Sequence, residues 1–156
     1  MSRAFVKESD DAVEELPERP ISSAPNFVTA EGLAAIEVEI ARLNAALAHA
    51  GEDREARARI ARDLRYWDAR RGNAQLMPPP TDADTIQFGS TVTLTRDDGR
   101  RQSFRIVGED EADPEQGTLS HVSPLARALM GKEEGDSVHV AGHDLEIEAI
   151  AEPRWR

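Results

Sequence analysis

Three carboxylates, Glu52, Asp53 and Glu55, lie between two stretches of helical periodicity and are the residues best placed to do chemistry. A projecting tip with clustered oxygen ligands can deliver them to a divalent cation held elsewhere. By itself such a tip makes an incomplete Mg²⁺ shell, so the other ligands would have to come from a partner's active site. The structural alternative is that acids at the start of a helix complement its dipole and cap its free N–H groups. The residues alone leave both open. His139 and His143 are four apart, a spacing that suits a shared metal on a helix, but alternating valines and Gly142 place them on strand and turn. Ser123 followed by Pro124 reads as a helix N-cap with proline in the first turn, rather than as a nucleophile. The chain has no cysteine, which excludes thiolate chemistry, zinc–thiolate sites and a disulfide scaffold. It also has no phosphate loop, dinucleotide fingerprint or nucleophile elbow.

The elements that would position these residues are legible. Leu33, Ile36, Ile40, Leu43 and Leu47 are spaced as the a/d stripe of a coiled coil, with Thr29 as the cap and Gly51 as the stop. A second stripe at Ile60, Leu64 and Trp67 has Arg-rich outer faces and ends at Gly72 and Pro78-Pro79-Pro80. Two helices of roughly 20 residues, at 1.5 Å per residue, form an antiparallel hairpin about 30 Å long. Beyond the prolines the period becomes two. Val92 and Leu94, a turn at Asp97-Asp98-Gly99-Arg100, then Phe104 and Ile106 predict a β-hairpin. An acidic loop runs from Gly108 to Gly117 and a third strand is expected near Leu119. A short helix opens at Ser123-Pro124, and two last strands carry Val138, Val140, Leu145, Ile147 and Ala149 around Gly142. The expected class is α+β: a two-helix arm, then a small domain of about five strands and one helix. The expected divisions are residues 1–28 as a flexible acidic extension, 29–77 as the hairpin, 78–84 as a linker and 85–156 as the C-terminal domain. Within the extension, only Phe5-Val6 and Phe27-Val28 could dock on a core.

The chain has 156 residues and a net charge of −11. Divided at these boundaries, residues 1–28 carry −3, residues 29–77 are neutral and residues 78–156 carry −8. This acidity excludes a domain that grips a nucleic-acid backbone by general attraction, but not one that meets a basic protein surface. No uncharged stretch exceeds 11 residues, too short to span a bilayer. The first residues lack an apolar secretory core, and a cytoplasmic protein is expected.

The C-terminal half resembles the Gre-type bacterial transcription elongation factors, the GreA/GreB-like family. The resemblance rests on Gly89-Ser90-Thr91-Val92-Thr93-Leu94, on Phe104 through Asp113, on Ser123-Pro124-Leu125-Ala126-Arg127-Ala128-Leu129-Met130-Gly131-Lys132-Glu133-Glu134-Gly135-Asp136, and on Asn73-Ala74-Gln75. It implies an FKBP-like domain that docks on RNA polymerase beside the secondary channel, with the coiled coil entering that channel to regulate elongation. Contact with DNA and RNA would be indirect, through the elongation complex. DNA binding is thus an association at family level, and the protein would be an accessory factor rather than an enzyme. The positions matching the docking motifs are Asp113, Ser123, Pro124 and Leu125, with Glu109, Asp110 and Glu111 nearby. In cleavage-competent members, tip carboxylates share a Mg²⁺ with the polymerase; Glu52, Asp53 and Glu55 are the corresponding acids, and no metal would be held by this chain alone. The family's cleavage tip reads Asp-x-x-Glu followed by Asn-Ala-Glu-Tyr, on an arm about three turns longer, roughly 15 Å. Here Glu52 and Glu55 keep the acid spacing without the flanking motif. Stimulation of transcript cleavage is therefore left open. The alternative is a non-cleaving regulator that competes for the channel or binds another protein such as a nucleoside diphosphate kinase. A peptidyl-prolyl isomerase is a distant third: it needs an aromatic-lined pocket, and beyond residue 80 only Phe88, Phe104 and Trp155 are aromatic.

Overall fold

Both expected helices form. In the computed structural model, which describes residues 16–153, α1 spans Ala30–His49 and α2 spans Arg54–Gly72. The chain divides into two compact units. One holds Ala34–Ala74 with the chain up to Ser23, and the other holds Ala24–Leu33 with everything from Gln75 onward.

In the helical unit the α1 stripe buries Ile36, Ile40 and Leu43, each contributing about 2 kcal/mol by removal from water. Gly51 ends the pattern with φ +60, a left-handed turn that costs a residue without Cβ nothing. The second stripe, Ile60, Leu64 and Trp67, is half-buried. The Arg-rich faces predicted for α2 need one correction. Arg70 is 1% exposed, because it falls three residues beyond Trp67 and so continues the inward stripe, with an aliphatic stem long enough to lie along it. Composition predicts a solvated arm through residue 28, yet part of it is tied down. Arg19 stacks on the Tyr66 ring, 3.9 Å from its centroid, and pairs with Asp63 at 3.3 Å. Residues 1–15, Phe5-Val6 among them, lie outside the described residues.

The second unit is built on a five-stranded sheet. Its strands are β3 (Thr91–Arg96), β4 (Arg101–Val107), β5 (Thr118–Ser120), β6 (Ser137–Val140) and β7 (His143–Ile150), after a small parallel pair, β1 (Phe27–Val28) and β2 (Gln75–Leu76). The sheet order is β5-β4-β3-β7-β6, antiparallel except for β4–β5. Helix α3 (Pro124–Leu129) buries Ala126 and Leu129 in the core with Val92, Leu94, Ile106 and Ile147. The one helix and five sheet strands expected of the domain are thus present. The predicted alternation fails at one point, the end of β7. There Val92 pairs with Ile150 and Thr93 with Ala149, but Leu94 pairs with Ile147. The extra residue is a bulge, which shifts the inward phase by one. Ile150 rather than Ala149 is therefore buried.

Candidate partner-binding surfaces

At the tip, the structure separates the three acids. Asp53 is the N-cap of α2, its side chain accepting from the Ala56 N–H at 3.0 Å, and Arg57 braces the turn by donating to the Gly51 carbonyl. Glu52 and Glu55 are exposed on either side of it. One acid of the trio is thus engaged by the helix end and two face solvent. Among the described residues no group of three or more His, Cys, Asp or Glu side chains could hold a metal ion. His139 and His143 turn to different acids, His139 to Asp144 at 2.7 Å and His143 to Asp97 at 3.5 Å.

The other candidates gather around β5. Because β4 and β5 are parallel, with Val107 opposite Ser120, the segments that follow them leave the sheet at the same end. This brings the short 3-10 turn Glu109–Glu111 to the same end as the start of α3. Ser123 caps that helix by accepting from the Ala126 N–H at 3.2 Å. Pro124 is exposed, and Leu125 is half-buried against the core. Asp113 lies at the opposite end of β5, where it caps a second 3-10 turn, Pro114–Gln116, and its N–H donates to Thr118 Oγ1 at 2.7 Å.

Glu111 stands apart from its acidic neighbours. Its carboxylate accepts from Thr29 Oγ1 at 2.6 Å, from the Thr29 N–H at 3.0 Å and from the Gly108 N–H at 3.2 Å. Thr29 Oγ1 in turn caps α1 by accepting from the Gly32 N–H. The fit is close: a Cβ on Gly32 would run into this carboxylate, and one on Gly108 into the Phe27 carbonyl. Glu111 therefore holds the first turn of α1 on the globular unit, while Glu109, Asp110 and Asp113 remain at least partly exposed.

Sequence reasoning missed an apolar groove of about 410 Å³ lined by Phe27, Met77, Phe88, His121 and Met130. Phe27 packs edge-on to Phe88, ring centroids 6.0 Å apart, and 5.1 Å from the His121 ring. Counting aromatics only beyond residue 80 overlooked Phe27. It reaches the domain because Phe27–Val28 adds to Gln75–Leu76 as a parallel strand. The signal was there in Phe27-Val28, the one apolar pair next to the helix cap.

The molecule so described is a two-helix arm with an acidic tip, joined to a small α+β domain with acidic turns around one short strand. The family described as "Transcription elongation factor, GreA/GreB, C-term" matches residues 80–151. Transcription elongation factor GreA of Desulfovibrio desulfuricans is 33% identical over 134 residues, 72% of this chain and 83% of that protein. The GreA proteins of Jannaschia sp. and Nitrobacter winogradskyi are 53% identical over 68 residues and 51% over 75, and the chain spans less than half their length, 44% and 48%. This chain belongs to the GreA/GreB transcription elongation factor family. Among solved structures, GreA factor homolog 1 of Thermus thermophilus aligns with 82% of this chain and 99% of its own at 19% identity and a TM-score of 0.41.

Proposed function

We propose that this chain regulates transcript elongation by binding RNA polymerase through its globular unit and placing the helical arm in the secondary channel. The observation that supports this most is the exposed Pro124 at the capped start of α3, at the same sheet end as the Glu109–Glu111 turn, in a domain that belongs to the GreA/GreB family. An acidic edge around a protruding apolar corner suits a partner that presents basic residues around an apolar seat. Core polymerase should retain the protein in a pull-down. Pro124→Arg should weaken retention about tenfold or more, the loss expected for a central contact worth about 1.4 kcal/mol. Absence of binding at micromolar protein would overturn the reading.

A second reading concerns the outcome of binding. Helices of 20 and 19 residues make a short arm, and Asp53 is already engaged as a cap. These features favour a regulator that occupies the channel without stimulating cleavage, or one that acts on a different protein partner. Cleavage of a backtracked complex, measured with the wild type and with Glu52→Ala/Glu55→Ala, separates them. Stimulation that the double variant loses would identify Glu52 and Glu55 as ligands for a Mg²⁺ shared with the polymerase; no stimulation by the wild type would identify a competitor.

A further inference from the structure

Met77 and Met130 line the same apolar groove of about 410 Å³ in the second unit, beside Phe27, Phe88 and His121. The chain has no cysteine and three methionines in all, so its oxidisable sulfur, Met1 apart, is gathered in one place. We propose that the groove is a peroxide-responsive modification site. Oxidation of Met130 and then of Met77 to sulfoxides turns its apolar wall polar and loosens the strand pair that seats Phe27 in the domain.

Exposure sets the order. Met130 is the C-cap of α3 and is 39% exposed, whereas Met77 is half-buried and packs against the core. An oxidant arriving from solvent therefore meets Met130 first. Position gives Met77 its effect. Its N–H donates to the Val28 carbonyl at 3.0 Å, and the Gln75 N–H donates to the Asn26 carbonyl at 2.8 Å. A parallel pair of two residues a side, Phe27–Val28 on Gln75–Leu76, is too short to hold by its backbone alone. Side-chain packing holds it: Phe27 lies edge-on to Phe88, ring centroids 6.0 Å apart, and Phe27 and Met77 both pack against the core.

The chemistry needs only a peroxide as oxidant. The thioether sulfur attacks one peroxide oxygen, an S–O bond forms as the O–O bond breaks, and sulfur loses two electrons. With hydrogen peroxide, the departing hydroxide takes the proton of the transferred OH group and leaves as water. The product is polar, and its oxygen requires a hydrogen-bond donor or water. An oxidised Met130 turns into solvent with little disturbance. An oxidised Met77 draws water into the wall, and the short strand pair loses its apolar support. Methionine sulfoxide reductases reverse both steps. None of this depends on what the domain binds.

The full-length protein, treated with graded hydrogen peroxide and followed by peptide-mapping mass spectrometry, should form Met130 sulfoxide about tenfold faster than Met77 sulfoxide. Hydrogen exchange of the residue 77 amide, followed by NMR, should stay slow while only Met130 is oxidised. Once Met77 is oxidised, it should speed up about tenfold. Met77→Leu, which keeps the wall apolar and similar in volume, should hold that exchange slow at every dose. Met130→Leu should leave the response of Met77 in place, and incubation with both reductases should restore slow exchange. Equal oxidation rates for the two methionines would overturn the proposal, as would a Met77 that resists peroxide sufficient to convert free methionine completely. Faster exchange that persists in Met77→Leu, or unchanged exchange in protein oxidised at Met77, would sink it equally.

Discussion

Glu111 shows how differently one residue type can be used within a single acidic run. Its neighbours Glu109 and Asp110 differ from it little in sequence, but only Glu111 is enclosed by Thr29 and Gly108, the former 82 residues away. Exchanging one of its oxygens for an amide nitrogen, which cannot accept, leaves two backbone N–H groups and a hydroxyl to share a single acceptor oxygen. Glu111→Gln should cost about 1–3 kcal/mol in urea unfolding, and Thr29→Val a similar amount. Because the two share one network, the double variant should cost less than the sum, with a coupling of about 1 kcal/mol. Strict additivity would show that the contact contributes no stability. The grouping of Glu111 with the docking acids was all that local sequence could support, since its partner lies at the other end of the chain. The tip was more legible: an acid before a helix can cap it, and among Glu52, Asp53 and Glu55 it is Asp53 that does so.

For the elements, periodicity carried most of the fold. A 3-4 spacing of apolar residues makes α1, and an alternating one makes the hairpin of β3 and β4, because helices and strands present side chains at periods of 3.6 and 2. What periodicity cannot register is a change of phase inside one element. The bulge in β7 is such a case, and it inverts the roles of its last two residues. Ile150→Ala should therefore cost about 2–5 kcal/mol through the cavity it leaves, whereas Ala149→Ser should stay within about 0.5 kcal/mol. Thermal unfolding of the two variants distinguishes them, and equal losses would mean that β7 continues its alternation to the end. The burial of Arg70 follows the same logic. The helical period placed it inward, but its charge had suggested the outer face.

The attachment of residues 16–23 to α2 is a property of the whole molecule, and it should respond to pH. The hydrogen bond from Arg65 holds the Glu18 carboxyl below its ordinary range, with the charges of Arg65 and Arg62 adding to it. A lowered folded pKa stabilises the attached state above the ordinary glutamate range, and that contribution is lost as pH falls through the lowered value. Trp67, 5.6 Å from the Arg19 guanidinium, reports the release. In a Trp155→Phe background its fluorescence should change on acidification before the helices melt. Glu18→Gln should show the released signal already at neutral pH. A signal that changes only together with helix content would show that the segment does not detach separately.

Sequence by itself determined the two-helix arm, the class of the C-terminal domain and its family resemblance, because apolar period, turn chemistry and contiguous motifs are local properties of a chain. Only the tertiary structure decided which acids are engaged and which face outward. Asp53 is engaged by a helix end and Glu111 by a threonine across the fold, and Phe27 gains a place in the domain by pairing beside Gln75. A carboxylate has the same composition whether it caps, clamps or waits for a partner. Its surroundings make the difference, and contacts between residues distant along the chain build them.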